Sequence, residues 1–358
     1  MVNFSNSPDR NPTAIPHPIK PDVSIYHTYS RPNVLTDSSL VEIFIEFKCQ
    51  SRDDPFCDMA PASKAAVKAK RTKGGKFLSD DNPEPATKKT KTEKTKGGDD
   101  SLGQITLYAA AQLGSQFCTH LYSVFMTVGK ARILRWDRSG TIVTDSIDIN
   151  RAPHLVEFFH RYSKAPPEMR GIDKSVSDPT PEEAIAARQA LGLAENVLLF
   201  KLEVLCNGAP NYFLTPSPQA TFYTPPGRAT RGFQAYDISW ATPVFLKDTW
   251  RIDTESIQAE GLTYETLDKA HVPNIPRCVA FGDISTITYH ATKTSDYTSA
   301  EWTCIPKDHR FVQHRHYRLV LDVIGRSLMA FESSYEMMAA VRDAIIGRFN
   351  HPIANEQH

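Results

Sequence analysis

Two sets of residues have the types and spacing to do chemistry. The first runs Pro21-Asp22, then Glu46-Phe47-Lys48, then Gln104-x-x-x-Tyr108. Side chains alternate along a strand, so Glu46 and Lys48 project from one face. An aspartate on the neighbouring strand, Asp22, would complete a pair of carboxylates able to hold magnesium, with the lysine orienting or deprotonating an attacking water. Gln104 and Tyr108, at i and i+4, share one helix face. The second set is Gly227-Arg-Ala-Thr-Arg-Gly232, then Val244-Phe-Leu-Lys247, then Glu260. A glycine-bearing flap can cover phosphates, a lysine can pair with them, and a glutamate can position that lysine. The plainer alternative stands beside each set: Glu46, Lys48, Lys247 and Glu260 as solvated side chains, Gln104 and Tyr108 as packing.

The elements that must position these residues follow from periodicity. Strands are expected at Val23–Tyr26 and Val41–Lys48, the second with apolar residues at the alternate positions Ile43, Ile45 and Phe47. A helix is expected from Leu102 to His120, then strands over Tyr122–Val128, Ala131–Trp136 and Thr141–Ile149, and a helix over His154–Tyr162. A short helix begins after the cap-like Thr180. Beyond it the chain is strand-rich from Val197 to Lys247, with Lys247 closing a strand. A helix over Glu255–Ala270, further strands up to Tyr317–Ile324, and a helix from Ser334 to Phe349 complete it.

The expected organisation is a disordered stretch over 1–20, an α/β domain over 21–165, a connector over 166–195 and a second domain over 196–358. Residues 51–100 lose the apolar pattern and are lysine-rich, so they are read as a disordered insertion in the first domain. Lys68-x-Lys-Arg-Thr-Lys73 and Lys88-Lys-Thr-Lys91 within it resemble nuclear localisation clusters and could screen nucleic-acid phosphates; a merely solubilising loop is the alternative. The chain has 358 residues and no formal net charge, which gives no global pull toward nucleic acid or membrane. The absence of an apolar signal core or a membrane-length run leads us to expect a nuclear or cytoplasmic protein, neither secreted nor membrane-bound. Six scattered cysteines without a C-x-x-C pair argue against a zinc site or a disulfide framework.

Several stretches together resemble the fungal-type protein kinases: Phe245-Leu-Lys-Asp-Thr-Trp-Arg251, Val272-Pro-Asn-Ile-Pro276, His316-Tyr-Arg-Leu-Val320 and Arg342-Asp-Ala344. In the first half Gly103–Phe117, Arg135–Gly140, Phe158–Ser163 and Arg170-Gly171 match too. The resemblance implies a protein-kinase-like N-lobe with the start of a C-lobe, and ATP and magnesium as cofactors, with Gly227, Gly232, Lys247 and Glu260 as ATP contacts. The middle glycine of the flap is replaced by Ala229, which stiffens it. Family members continue past Arg342-Asp-Ala344 into an H-R-D loop and metal-binding residues; none follows here, so we expect a truncated chain without kinase activity, a pseudokinase. The helix face of Met337, Met338, Val341 and Ile345 would then be poorly covered, which favours aggregation or a protein partner.

The first half looks like the restriction-endonuclease-like fold of the PD-(D/E)xK nucleases, its helix similar to that of the exonuclease branch. That resemblance assigns Asp22, Glu46, Lys48, Gln104 and Tyr108 to a nuclease-type site, with Asp22 and Glu46 as metal ligands and nucleic acid as partner. The fold class expected overall is α+β: a restriction-endonuclease-like α/β domain followed by the kinase-like lobe.

Overall fold

A computed structural model describes residues 3–5, 20–27, 37–58, 96–206, 208–218, 224–284, 290–304, 311–326 and 330–349. They form a mixed α/β structure with two seven-stranded sheets and five α-helices.

The first sheet carries β1 (Asn3–Ser5), β2 (Val23–Tyr26), β3 (Val41–Lys48), β4 (Leu121–Thr127), β5 (Lys130–Asp137) and β6 (Gly140–Val143) in that spatial order, with β7 (Ile147–Asp148) also paired to β5. β3 and β4 are parallel, and helix α1 (Lys96–Ser115) makes the crossover between them; the other pairs are antiparallel. Strand β3 is buried on both faces, which its run of Ile43, Phe44 and Ile45 requires. Phe44 packs against Ile105, Tyr108 and Ala109 of α1. On the opposite face Ile43 and Ile45 share a core with Leu155, Phe158 and Tyr162 of α2 (His154–Lys164). By alternation Glu46 and Lys48 lie on the Phe44 face, toward α1.

Order extends further into the expected disordered stretches than the sequence indicated. Asn3–Ser5 pairs with β2, and α1 begins at Lys96 and ends at Ser115 rather than spanning 102–120. Residues 51–58 are fixed by ion pairs from Arg132 to Asp54 and Asp58, both at 2.8 Å. Lys68–Lys73 and Lys88–Lys91 lie outside the described residues.

The second sheet is antiparallel throughout, with the order β13-β14-β12-β11-β10-β9-β8. Its strands are β8 (Val176–Ser177), β9 (Leu199–Cys206), β10 (Ala209–Pro216), β11 (Arg231–Asp237), β12 (Thr242–Ile252), β13 (Cys278–Asp283) and β14 (His314–Leu321). Helix α3 (Pro181–Leu191) starts with a capping box in which Thr180 Oγ1 accepts from the Glu183 amide and Glu183 accepts from the Thr180 amide. It packs its Ala184 and Ala187 on Leu199, Leu214 and Tyr236. Helix α4 (Glu260–Lys269) begins five residues later than expected and lies near β13 and β14, its Tyr264 packed against the cluster of Tyr317, Leu319 and Leu321. Strand β12 does not end at Lys247 but continues five residues to Ile252, because β14 pairs with it over Phe245–Ile252. The last helix, α5 (Ser334–Phe349), leaves Met338, Val341 and Ile345 exposed.

Polar contacts join the two sheets. Arg138, fully buried after β5, donates to the Leu113 carbonyl of α1 (2.8 Å) and the Pro225 carbonyl of the β10–β11 loop (3.0 Å). Asp137 accepts the amides of Lys293 (2.8 Å) and Thr294 (3.0 Å).

Candidate functional site

The residues of the first set meet in a chain of hydrogen bonds. Lys48 Nζ donates to Glu46 Oε1 at 2.5 Å and to Gln104 Oε1 at 2.8 Å. Gln104 Nε2 donates to the Tyr108 hydroxyl at 2.6 Å, and that hydroxyl donates to the Lys20 carbonyl at 2.7 Å. Two residues on, Asp22 Oδ2 accepts the amide of Phe47 at 2.7 Å. The segment before β2 is thus tied both to α1 and to the middle of the E-x-K strand. Strand β3 supplies Glu46 and Lys48, and one face of α1 supplies Gln104 and Tyr108.

Electrostatics mark Glu46 within this group. It is 1% exposed, and its Oε2 is buried with no hydrogen-bond partner. Burial raises its pKa above the ordinary glutamate value, the charge of Asp22 adds to the rise, and Lys48 opposes it. A buried carboxylate oxygen without a donor is costly, and a cation is one way to satisfy it. Asp22 itself is exposed, so the group opens to solvent at that end. Burial likewise pushes the Tyr108 hydroxyl up to about 12, so it acts as a neutral donor at neutral pH. Asp22 and Glu46 are the residues here that could hold a divalent cation.

The second set meets less completely. Lys247, on β12, donates to both carboxylate oxygens of Glu260, at 2.8 and 2.6 Å. Glu260 opens α4, and that helix is placed by the amide of Gly261, which donates to the Tyr317 hydroxyl (2.8 Å). Gly261 has no room for a side chain: a Cβ there would lie 2.0 Å from the Phe281 ring. Gly232 is not in the loop but in β11, paired in register with Lys247. Gly227 is in the loop at φ 116°, and its amide donates to the Arg138 carbonyl at 2.8 Å. Ala229 takes the left-handed φ of 41°, a conformation in which glycine would be less strained. Arg228 and Glu260 line a small cleft with Thr249, Arg251 and Tyr317.

A third cluster escaped the sequence reading. Asp173, His290 and His316 bring ligand-type atoms within 4.8 Å of one another, all buried. His290 Nδ1 lies 3.2 Å from His316 Nδ1, and His316 Nε2 lies 2.6 Å from Asp248. Asp248 also accepts from Arg231 (2.5 Å) and Arg318 (3.0 Å), and Arg318 reaches Asp173 at 3.0 Å. Burial alone would raise the Asp248 carboxyl, but His316, Arg231 and Arg318 hold it well below the usual range. Burial lowers His290 to about 4, so it is neutral near pH 7. Two carboxylates therefore face two guanidiniums beside a neutral His290. Both Asp173 oxygens are already engaged, Oδ1 by Ser175 and Oδ2 by Arg318. Protein groups thus satisfy both carboxylates, and the cluster is read as a structural clamp. Arg231 Nη1 donates to the Gln116 carbonyl just past α1, so the clamp spans both sheets. Its only sequence signal is charge at positions 248 and 318 within strand-forming stretches.

A family model described as fungal protein kinase matches residues 84–350. The chain belongs to the fungal protein kinase family. The match takes in Gln104, Tyr108, Lys247 and Glu260, and begins after Asp22, Glu46 and Lys48. No curated protein and no solved structure matches the chain. Members of a protein kinase family use ATP and magnesium in general. No helix among the described residues is long and apolar enough to cross a membrane.

Proposed function

We propose that the second sheet and α4 form a kinase-type lobe that binds the phosphate chain of a nucleotide-like ligand through Lys247. The observation that carries this is the two-oxygen grip of Glu260 on Lys247, at 2.8 and 2.6 Å, on a chain of the fungal protein kinase family. A strand lysine held by the following helix is the pair with which protein kinases place a lysine on nucleotide phosphates. The proposal concerns binding; phosphoryl transfer needs further groups that orient an acceptor and hold metal. Titration calorimetry with a triphosphate ligand is the test. Lys247→Met should weaken binding about tenfold or more, the size of one lost charge-assisted contact. Unchanged affinity in that variant would remove the proposal.

A second reading rests on the first sheet: a divalent-cation-dependent phosphodiester hydrolase of restriction-endonuclease-like type. What favours it is the meeting of Asp22, Glu46, Lys48, Gln104 and Tyr108 in one hydrogen-bonded group, with Glu46 Oε2 buried and unpartnered. Asp22 and Glu46 would hold magnesium, which would polarise a phosphodiester and lower the pKa of water. Lys48, pinned by Gln104, would orient that water. Magnesium-dependent nicking of DNA by the purified chain, lost in Asp22→Ala and Glu46→Ala, is the expected result. Nicking that persists in both variants, or no cutting of any nucleic acid, rules it out. Nuclear placement through the lysine clusters belongs to this reading, tested by following a fluorescent fusion with and without Lys88–Lys91.

A further inference from the structure

The face of the second sheet that carries Lys247 has an aromatic ring where an extended ligand would have to pass. Cross-strand partners share a face, so Gly232, Gln234, Phe245, Lys247, Leu319 and Leu321 line one side of β11, β12 and β14. Leu319 and Leu321 are buried there, whereas Gly232 and Gln234 are exposed. The Phe245 ring reaches across to Gly232: a Cβ built on Gly232 would lie 2.9 Å from Phe245 Cζ and 3.0 Å from Cε2. Gly232 is the register partner of Lys247. It also lines a cleft of about 350 Å3 with Leu191, Leu193, Pro216 and Gln234, at the C-terminal end of α3. The ring therefore lies between the lysine and that cleft. In the V-A-I-K pattern the residue two before the lysine is alanine, which leaves this space free.

We infer that Phe245 makes this a phosphate-chain site that excludes the base: Lys247 and Arg228 contact a phosphate chain, while the ring closes the route by which a purine would reach the cleft. The inference rests on the proposed role of Lys247 and adds a ligand class to it. Without the ring, lysine and cleft become one continuous site, with phosphates at Lys247 and an aromatic base between Leu191, Leu193 and Gln234. The cleft alone is of the size that small-molecule sites occupy. Gly232 is what leaves room for the ring, since a side chain there would meet it.

The experiment is titration of the full chain, and of Phe245→Ala and Lys247→Met, with inorganic tripolyphosphate and with ATP. The expected result is equal affinity of the native chain for both ligands, within about threefold. Phe245→Ala should then gain at least about tenfold for ATP and nothing for tripolyphosphate, and Lys247→Met should lose both. Phe245→Val keeps an apolar residue of high strand propensity and is measured alongside, with an unfolding scan, so that a misfolded alanine variant does not decide the matter. Native preference for ATP of tenfold or more, with no gain in either Phe245 variant, overturns the inference and leaves the role of Lys247 standing. Binding untouched in Lys247→Met overturns the role of Lys247 and the inference with it.

Discussion

Each of the two sheets presents a lysine against a glutamate, and the two pairs are built differently. Lys48 and Glu46 lie on one strand two residues apart, 2.5 Å from each other, with the glutamate side chain 2% exposed. Lys247 and Glu260 join a strand to a helix at 2.6 Å, with the glutamate side chain 33% exposed. In the first pair the lysine takes one carboxylate oxygen and the other is buried without a donor. In the second the lysine takes both. A buried carboxylate oxygen without a donor offers a cation a site, whereas a carboxylate that accepts from one lysine through both oxygens holds that lysine in place. Ion-pair distance is nearly identical in the two sites, so distance alone says nothing of function. What separates them is burial and the count of satisfied oxygens.

The largest expected effect tests whether the two sites belong to one cooperative unit. Arg318 is fully buried between Asp173 and Asp248, so Arg318→Met leaves two carboxylates short of a partner and should cost about 3–5 kcal/mol. Urea unfolding followed separately by Trp136 in the first sheet and Trp250 in the second reads the outcome, using single-tryptophan variants. Loss confined to one signal would mean that the sheets unfold independently.

Next in size is a dependence on pH. Burial holds His120 at about 3 in the first half and His290 at about 4 in the clamp, both below the ordinary 6.5. A depressed folded-state pKa favours the neutral form, so the stability these groups contribute is complete above pH 6.5. It is lost as pH falls from there toward the folded values. The His290 share is on the order of 3 kcal/mol. A His290→Gln chain should lose less stability than the native one between pH 6.5 and pH 4; parallel curves would show that His290 is not neutral in the fold. Asp173 and Asp248 are held low and stay ionised over that window.

The contrast between the two glutamates is then sharpened by the same substitution in each. Glu46→Gln should weaken magnesium or manganese binding by about 100-fold, since it removes an anionic ligand. Metal affinity of the native chain should rise with pH as Glu46 ionises at its raised pKa. Glu260→Gln leaves Lys247 charged and only less well oriented, so triphosphate affinity should fall about threefold to tenfold. Equal losses in the two variants would erase the distinction drawn between them. Smallest is Gln104→Ala, which frees Lys48 from α1 and should lower any metal-dependent turnover about fivefold while leaving metal affinity unchanged.

Both pairs were legible in the sequence because alternation along a strand and i, i+4 spacing on a helix are local rules. Val41–Lys48 announced itself as a strand with Glu46 and Lys48 on one side, and Gln104 with Tyr108 as one helix face. Lys247 and Glu260 were legible as a pair from their order in the chain. The turn of α1 before Leu102 was missed because Lys96–Ser101 carries two glycines and two aspartates, poor helix formers. The extension of β12 past Lys247 was missed because Asp248 and Arg251 look like a strand end, yet they are neutralised by Arg231 and Asp283.

By itself the sequence determined which residues could act and which face of which element carries them, together with the resemblance that the family match bears out over residues 84–350. Only the tertiary structure decided which atoms are left over. Tyr108 closes on the backbone carbonyl of Lys20 from 88 residues away, and His316 on Asp248 across 68. The reach of Phe245 across to Gly232 depends on β11 and β12 lying in one particular register. The physical reason is that periodicity fixes directions within an element, whereas desolvation and the satisfaction of each oxygen depend on which elements pack together. The buried, unpartnered Oε2 of Glu46 is a property of β3 lying against α1, and no local pattern encodes it.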